Sequence, residues 1–271
     1  MNQTFTAIIQ ARMNSTRLPG KAMKKIGEYP MLFHVIQQTL SSQYIDDVVI
    51  ATTTSSKDKQ IVDFCKTNDV KYFRGLTCDV LDRYYKCAKS FSLDHVIRIS
   101  SDCPFIDPKI IDRVIEKFLK KKYHYVGNNL EKLQNCWKNS ICNFPQGMVV
   151  EICSFRTLEK AWKNAKKPSE REHVFPYVQF NPKLFAITNI KNKKNLSHIR
   201  CTVDEKSDLK FVREIWKRFP KSKKIIHIED IEKILKKEPK LVLINNHINF
   251  DEGYQKSLQL DTQLRKRHYR K

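Results

Sequence analysis

An α/β architecture built on a largely parallel sheet is what this sequence predicts, and three observations carry the prediction. Short apolar runs alternate with amphipathic stretches through the first half of the chain, the rhythm of strands joined by covering helices. The first run breaks into a polar, basic loop within Ala7–Lys21, punctuated by Pro19 and Gly20, as a strand delivering an anion-binding loop would. A later run ends at Ser100–Pro104, where the proline stops the strand. Both polar segments would then emerge at the carboxyl edge of the sheet, where ligands bind in such folds.

The elements follow in order. Strands are expected at Phe5–Gln10, Val48–Thr53, Val70–Phe73, Val96–Ile99 and Tyr123–Val126. Helices are expected at Pro30–Leu40, Asp58–Thr67, Val80–Phe91 and Pro108–Lys120. Pro30 and Pro108 suit first-turn positions, and Asp107 is a plausible N-cap before Pro108. Asn128–Phe144 is polar and irregular and reads as an excursion or flap. Beyond it come a strand at Met148–Ile152, a helix at Phe155–Ala165 and a short break, with a second helix starting near Ser169. A strand pair at Phe185–Ile190 and Arg200–Val203 precedes a helix from Lys206 to about Arg218. No repeat or long linker interrupts the chain, so one domain over 1–240 is expected, with a C-terminal extension at 241–271 that ends in a basic tail.

Length and composition narrow the function classes. The 271 residues suffice for one large α/β domain. No apolar run is long enough to cross a membrane and the N-terminus lacks a signal-peptide pattern, so a cytoplasmic protein without membrane insertion is expected. Eight cysteines, at 65, 78, 87, 103, 136, 142, 153 and 201, form no CxxC pair; they read as reduced, mostly buried thiols rather than as a zinc ribbon or dithiol motif. A net charge of +22 invites a nucleic-acid reading. The lysines are dispersed over most of the expected helices, however, and no aromatic platform accompanies them. The dense cluster Arg265–Lys271 reads as a disordered end or an oligomer contact, so non-specific retention on phosphate surfaces is expected and specific nucleic-acid binding is not.

Within the first loop, Arg12, Ser15, Arg17 and Lys21 can supply side-chain donors to an anion. The loop is not a Walker A sequence, which needs a glycine where Ser15 stands and a hydroxyl where Ala22 stands, and it lacks GxGxxG. On charge alone, a solvated surface loop is the alternative. Asp102, at a strand end, can either bind a hard cation such as Mg²⁺ or cap a turn.

The stretch QARMNSTRLPGK resembles the phosphate-loop signature of the nucleotide-activating cytidylyltransferases, which include the Kdo cytidylyltransferases and the spore coat polysaccharide biosynthesis protein F family. The resemblance implies a GT-A-like, Rossmann-related mixed sheet flanked by helices, forming a single nucleotidyltransferase domain. It implies that Gln10, Ala11, Arg12, Ser15, Arg17 and Lys21 bind CTP, with Arg17 and Lys21 taking catalytic roles and Lys21 facing solvent in the empty cleft. Asn14 and Ser101 stand where many relatives carry glycine, and Asn14 can adopt the left-handed conformation that position would need.

Further segments extend the match. IRISSDCPFIDP and IRCTVDEKSDL are similar to the two family segments whose aspartates hold the catalytic metal, implying Mg²⁺ on Asp102 and Asp204; Asp208 then serves the following helix. FRGLTCDVLDRYYKCAK resembles the base and ribose segment, implicating Arg74, Asp79 and Arg83. FPQGMVVEICSF retains Glu151 but has Val149 where relatives commonly carry aspartate, and SEREHVFPY offers Arg171 and His173; together with Arg200 these imply an acceptor site. Arg200 fits a structural ion pair equally well. The implied reaction is CMP transfer from CTP to a small acidic or phosphorylated acceptor with release of pyrophosphate, for surface polysaccharide synthesis, by a homodimeric enzyme. A GT-A glycosyltransferase and a basic nucleic-acid-binding protein on a degenerate transferase fold are the rival readings; no DxD motif supports the first.

Overall fold

A computed structural model describes residues 5–120, 122–129, 143–249 and 252–268. In chain order the sheet elements are β1 (Phe5–Gln10), β2 (Lys25–Ile26), β3 (Tyr29–Pro30), β4 (Ile45–Thr53), β5 (Lys71–Gly75), β6 (His95–Ser100), β7 (Tyr125–Gly127), β8 (Glu151–Ser154) and β9 (Ile187–Asn189). The α-helices are α1 (Met31–Leu40), α2 (Lys59–Thr67), α3 (Val80–Ser90), α4 (Pro108–Lys120), α5 (Phe155–Asn164), α6 (Pro168–His173), α7 (Pro176–Gln179), α8 (Lys206–Lys217), α9 (Ile228–Lys237) and α10 (Glu252–His268).

The main sheet has the order β5-β4-β1-β6-β8-β7-β9, with β2 and β3 as a separate hairpin. β5, β4, β1 and β6 pair in parallel, β8 runs antiparallel to both β6 and β7, and β9 is parallel to β7. From β1 the chain builds outward through β4 to β5, then crosses to the other side with β6. The crevice between β1 and β6 is therefore the topological switch point, where a parallel sheet opens to receive a ligand. Side-chain alternation sends Ala7 and Ile9 of β1 into one apolar cluster and Ile8 into another. The first cluster is covered by α1, α2, α4, α8 and α9, the second by α3, α5 and α7. Among the described residues no helix is long and apolar enough to cross a membrane.

Most expected elements appear within a few residues of their expected bounds, with informative exceptions. Arg200–Val203 is not a strand; its pairing is limited to an isolated parallel bridge between Gln146 and Arg200. Its backbone groups are spent singly instead: Cys201 N–H donates to Gln146 O and Val203 N–H to Asp102 O, while Arg200 O and Val203 O accept from the side chains of Asn245 and Lys21. Pro30 is the N-cap of α1 rather than its first residue. The strand expected at Met148–Ile152 is shifted to β8, because Asn128 takes the polar backbone groups of Met148 and Val150 through its side chain. Asn14 is not left-handed; in the loop that conformation falls on Gly20, at φ 69°. Residues 130–142 of the expected excursion, Cys136 and Cys142 among them, lie outside the described residues, as do 269–271. The tail is not a disordered end up to His268, because α10 runs that far.

Candidate active site

The loop after β1 is held in shape by its own hydrogen bonds. Asp58 is buried beneath it and accepts from Met13 N–H at 2.7 Å, while its other oxygen accepts from the Thr53 N–H at 3.2 Å and from the Thr53 hydroxyl. The loop closes on itself through Gly20 N–H and Ser15 N–H, which both donate to Met13 O. Gly20 is required because its φ is costly for a side chain with a Cβ. This preorganisation aims Arg12, Ser15, Arg17 and Lys21 at one cavity of about 300 Å³, which Gln10, Ala11 and Arg83 also line. Arg83 is almost completely buried and donates to Leu76 O at 2.6 Å. Burial pulls its pKa down, with Arg12 adding to the effect and Tyr84 opposing it.

A second cavity of about 240 Å³ adjoins the first and is lined by Glu151, Arg200, Gln146, Gln179 and Val149 among others. Arg17, Arg98, Ser100, Asp102, His173 and Asp204 face both cavities, so the two spaces meet over the ends of β1 and β6. Gly147 lies on the wall of the second, at φ 89°, and a Cβ there would fall 2.4 Å from Thr202 N. The bridge that holds Arg200 beside the site thus depends on that glycine.

Where the cavities meet, one cation joins two distant aspartates. Lys21 Nζ donates to Asp102 Oδ2 at 2.6 Å, to Asp204 Oδ1 at 2.9 Å and to Val203 O at 3.0 Å, using all three ammonium protons. Lys21 therefore does not face open solvent, as expected from the sequence; its side chain is only 13% exposed because the aspartates draw it inward. Burial alone would lower its pKa, but the two carboxylates override that and raise it. For Asp102, burial acts upward, yet Lys21 dominates and holds the carboxyl down at about 2. Asp204 is further gripped by Arg17 and Arg200, each at 3.0 Å. Arg200 also pairs with Asp208 at 2.8 Å, and Asp208 closes the capping box that starts α8. Arg200 thus makes the structural pair and lines the second cavity at once.

Among the described residues no group of three or more His, Cys, Asp or Glu is arranged to hold a metal. Two carboxylates converging on one cation nevertheless suit Mg²⁺, which keeps water and phosphate oxygens for the rest of its shell.

Three expected site residues stand apart from both cavities. Arg74 is exposed and spends its guanidinium on Thr53 O and Ser55 O, pinning the end of β4. Asp79 caps α3 through Asp82 N–H and is clamped by Arg171, whose Nε lies 2.9 Å from Asp79 Oδ2. These two consume each other's charge. His173, the last residue of α6, does face both cavities, and Val174 turns the chain behind it at a strained φ of 71°. Its Nε2 pairs with Ser257 of α10 at 3.0 Å, and burial, helped by Arg98, lowers its pKa to about 4.

Sequence reasoning missed several participants. Glu172 holds Arg12 at 3.1 Å, Glu252 holds Arg17 at 3.5 Å, and Gly253 of α10 borders both cavities. The C-terminal extension therefore supplies part of the site wall. Arg98 had a signal: it is the only charge inside an otherwise apolar central strand apart from the edge residue His95.

A phosphate loop at the switch point, with two aspartates meeting a lysine over the strand ends, defines a nucleotidyltransferase. Residues 6–256 match the cytidylyltransferase family, and the chain belongs to it. It is 36% identical over 243 residues to an uncharacterized protein of Methanocaldococcus jannaschii, covering 89% of this chain and 94% of that one. It is 27% identical over 218 residues to the spore coat polysaccharide biosynthesis protein SpsF of Bacillus subtilis, covering 78% and 85%. A cytidylyltransferase structure from Leptospira borgpetersenii superposes with a TM-score of 0.81 at 31% identity, covering 91% of this chain and 100% of that one. A CMP-2-keto-3-deoxy-manno-octonic acid synthetase structure, at TM-score 0.58 and 16% identity over 79% of this chain and 98% of that one, shares the fold.

Proposed function

We propose that this cytidylyltransferase transfers CMP from CTP to a small acidic or phosphorylated acceptor, releasing pyrophosphate, in the cytoplasm and in support of surface polysaccharide synthesis. The observation that carries the reading is the convergence of Lys21, Asp102 and Asp204 where the two cavities join. The first cavity, with Arg12, Arg17 and Lys21, suits a triphosphate, and the adjoining second suits an acceptor. In-line displacement at the α-phosphorus needs the two substrates to meet at such a junction, and it needs fixed positive charge where negative charge gathers.

Mg²⁺ would be held by Asp102 and Asp204, and when bound it neutralises phosphate charge. For the lysine this means an exchange of partners. Lys21 is paired with both carboxylates, and it would turn to the β- and γ-phosphates were those carboxylates to hold the divalent ion. Arg17 and Arg12 make similar exchanges, giving up Glu252 and Glu172. For Arg12 and Glu172, the most exposed of these pairs, the cost of the exchange is small, about 0–1 kcal/mol. Pyrophosphate release from four nucleoside triphosphates, each offered a panel of acidic and phosphorylated acceptors, tests the reading; no release from CTP with any acceptor would sink it.

A further inference from the structure

Arg98 is a charge placed where a β-strand should have none. It occupies the middle of β6, a central strand, registered against Ile8 of β1 and Glu151 of β8. A guanidinium has five N–H donors and buried charge is costly unless those donors are met. Arg98 Nη1 donates to Glu151, and Nε is buried without a partner among the described residues. The 15% of the side chain that stays accessible opens on both cavities. The neighbouring cations differ. Lys21, Arg17 and Arg200 each pair with two carboxylates, whereas Arg98 meets one, and Glu151 also accepts from Tyr125 at 2.8 Å and Gln179 at 3.2 Å. Arg98 is thus matched in charge by Glu151 but not in hydrogen bonds, and its guanidinium keeps donors unmet where the cavities join.

Among the described residues at this junction the carboxylates are all engaged, and none stands free to take a proton. Asp102 and Asp204 are held by cations, both oxygens of Glu151 are engaged, and the Nε2 of His173 is tied to Ser257. An acceptor whose attacking oxygen arrives already ionised needs no such group. A phosphate monoester does so, since its second ionisation lies near pH 6, and a guanidinium fork matches its oxygens in pairs.

We infer that the acceptor is a phosphate monoester and that Arg98 is the residue that holds its phosphate. This deepens the cytidylyltransferase reading above and rests on it. In the step, a phosphate oxygen of the acceptor forms a bond to the α-phosphorus of CTP and the α–β bridging P–O bond breaks. Pyrophosphate leaves with that electron pair, no proton moves through the protein, and the product is a CDP-linked compound.

The test separates this step from the nucleotide site. Inorganic phosphate is titrated by calorimetry into the full chain saturated with α,β-methylene-CTP and Mg²⁺. Arg98→Met is combined with Glu151→Gln so that no unpaired carboxylate is left buried, and Arg98→Lys, which keeps the charge but loses the fork, is the milder second variant. We expect phosphate binding by the unaltered protein, at least 10-fold weaker binding by the double variant, intermediate binding by Arg98→Lys, and unchanged affinity for the analogue. In turnover, phosphate monoesters should release pyrophosphate, with Arg98→Lys raising the acceptor KM and sparing that for CTP. Equal phosphate binding in all three proteins, or CTP turnover with a hydroxy acid that lacks phosphate and none with monoesters, overturns the inference while leaving the cytidylyltransferase standing. Failure of the analogue to bind at all would take both down.

Discussion

Lys21 Nζ and Asp102 Oδ2 lie 2.6 Å apart although 81 residues separate them in sequence, and Asp204 completes the contact from a third part of the chain. A lysine that satisfies its three protons on these acceptors occupies the space a divalent cation would need between the same carboxylates. Lys21→Ala should therefore lower kcat/KM by roughly 10²-fold, equivalent to about 3 kcal/mol of transition-state stabilisation. It should also leave Asp102 without its cation and so lower the thermal midpoint. Calorimetry adds a signature that simple damage would not give: the variant should bind Mn²⁺ without nucleotide more tightly than the unaltered protein. Equal Mn²⁺ affinity in the two proteins would show that the lysine does not guard that position.

Asp102→Asn and Asp204→Asn should each abolish most Mg²⁺-dependent activity, since an amide binds a hard cation far less strongly than a carboxylate. The double variant should lose little more than either single one, because groups that act as a unit are not additive. Stability supplies an independent check. Lys21 holds the Asp102 carboxyl below its unfolded value, so this group stabilises the fold above about pH 4, and the contribution is lost as pH falls toward 2. Urea midpoints of the unaltered protein and Asp102→Asn should accordingly converge on acidification. A gap that persists unchanged down to pH 2 would contradict the pairing.

His173 should stay neutral through the working range, as burial lowers its pKa to about 4. Its folded value lies below the unfolded one near 6.5, so the fold is favoured above pH 6.5 and that advantage is lost as pH falls through 4. NMR of the imidazole should show no titration between pH 8 and 5. A midpoint near 6.5 would mean that α10 does not cover the ring.

How far the sequence could be read depends on what each segment spends its polar groups on. The strands β1 and β6 announce themselves because their apolar runs end abruptly in polar loops, and those loops line the two cavities. Arg200–Val203 also ends in a polar turn, but its own carbonyls go to the side chains of Asn245 and Lys21. No periodicity reveals a competition of that kind. Arg12, Arg17, Lys21, Asp102, Asp204, Glu151, His173 and Arg200 line the cavities as the motifs suggested. Arg74, Asp79 and Arg171 lie elsewhere, since motif membership does not distinguish a ligand contact from a pair such as Asp79–Arg171 that braces the wall. The contribution of α10 was hidden for another reason: a helix that returns over the site from the end of the chain carries no spacing that refers back to it.

The charge of +22 separates an enzyme from a nucleic-acid-binding protein by experiment. Dispersed lysines bind polyanions by releasing counterions, so retention of random DNA or RNA should be weak and should collapse between low and physiological salt. Turnover of CTP should persist over that range, because charges in a preorganised, partly buried site are screened less than exposed ones. Deleting 265–271 should reduce nucleic-acid retention and leave turnover near its original value, since the α10 residues at the cavity walls, Glu252, Gly253, Tyr254 and Lys256, all precede the cut. Filter binding and pyrophosphate release, measured on the same preparations across a salt series, make the comparison. Sequence-selective binding that survives physiological salt, with no pyrophosphate from any triphosphate, would instead make the transferase site a relic and the basic surface the working part.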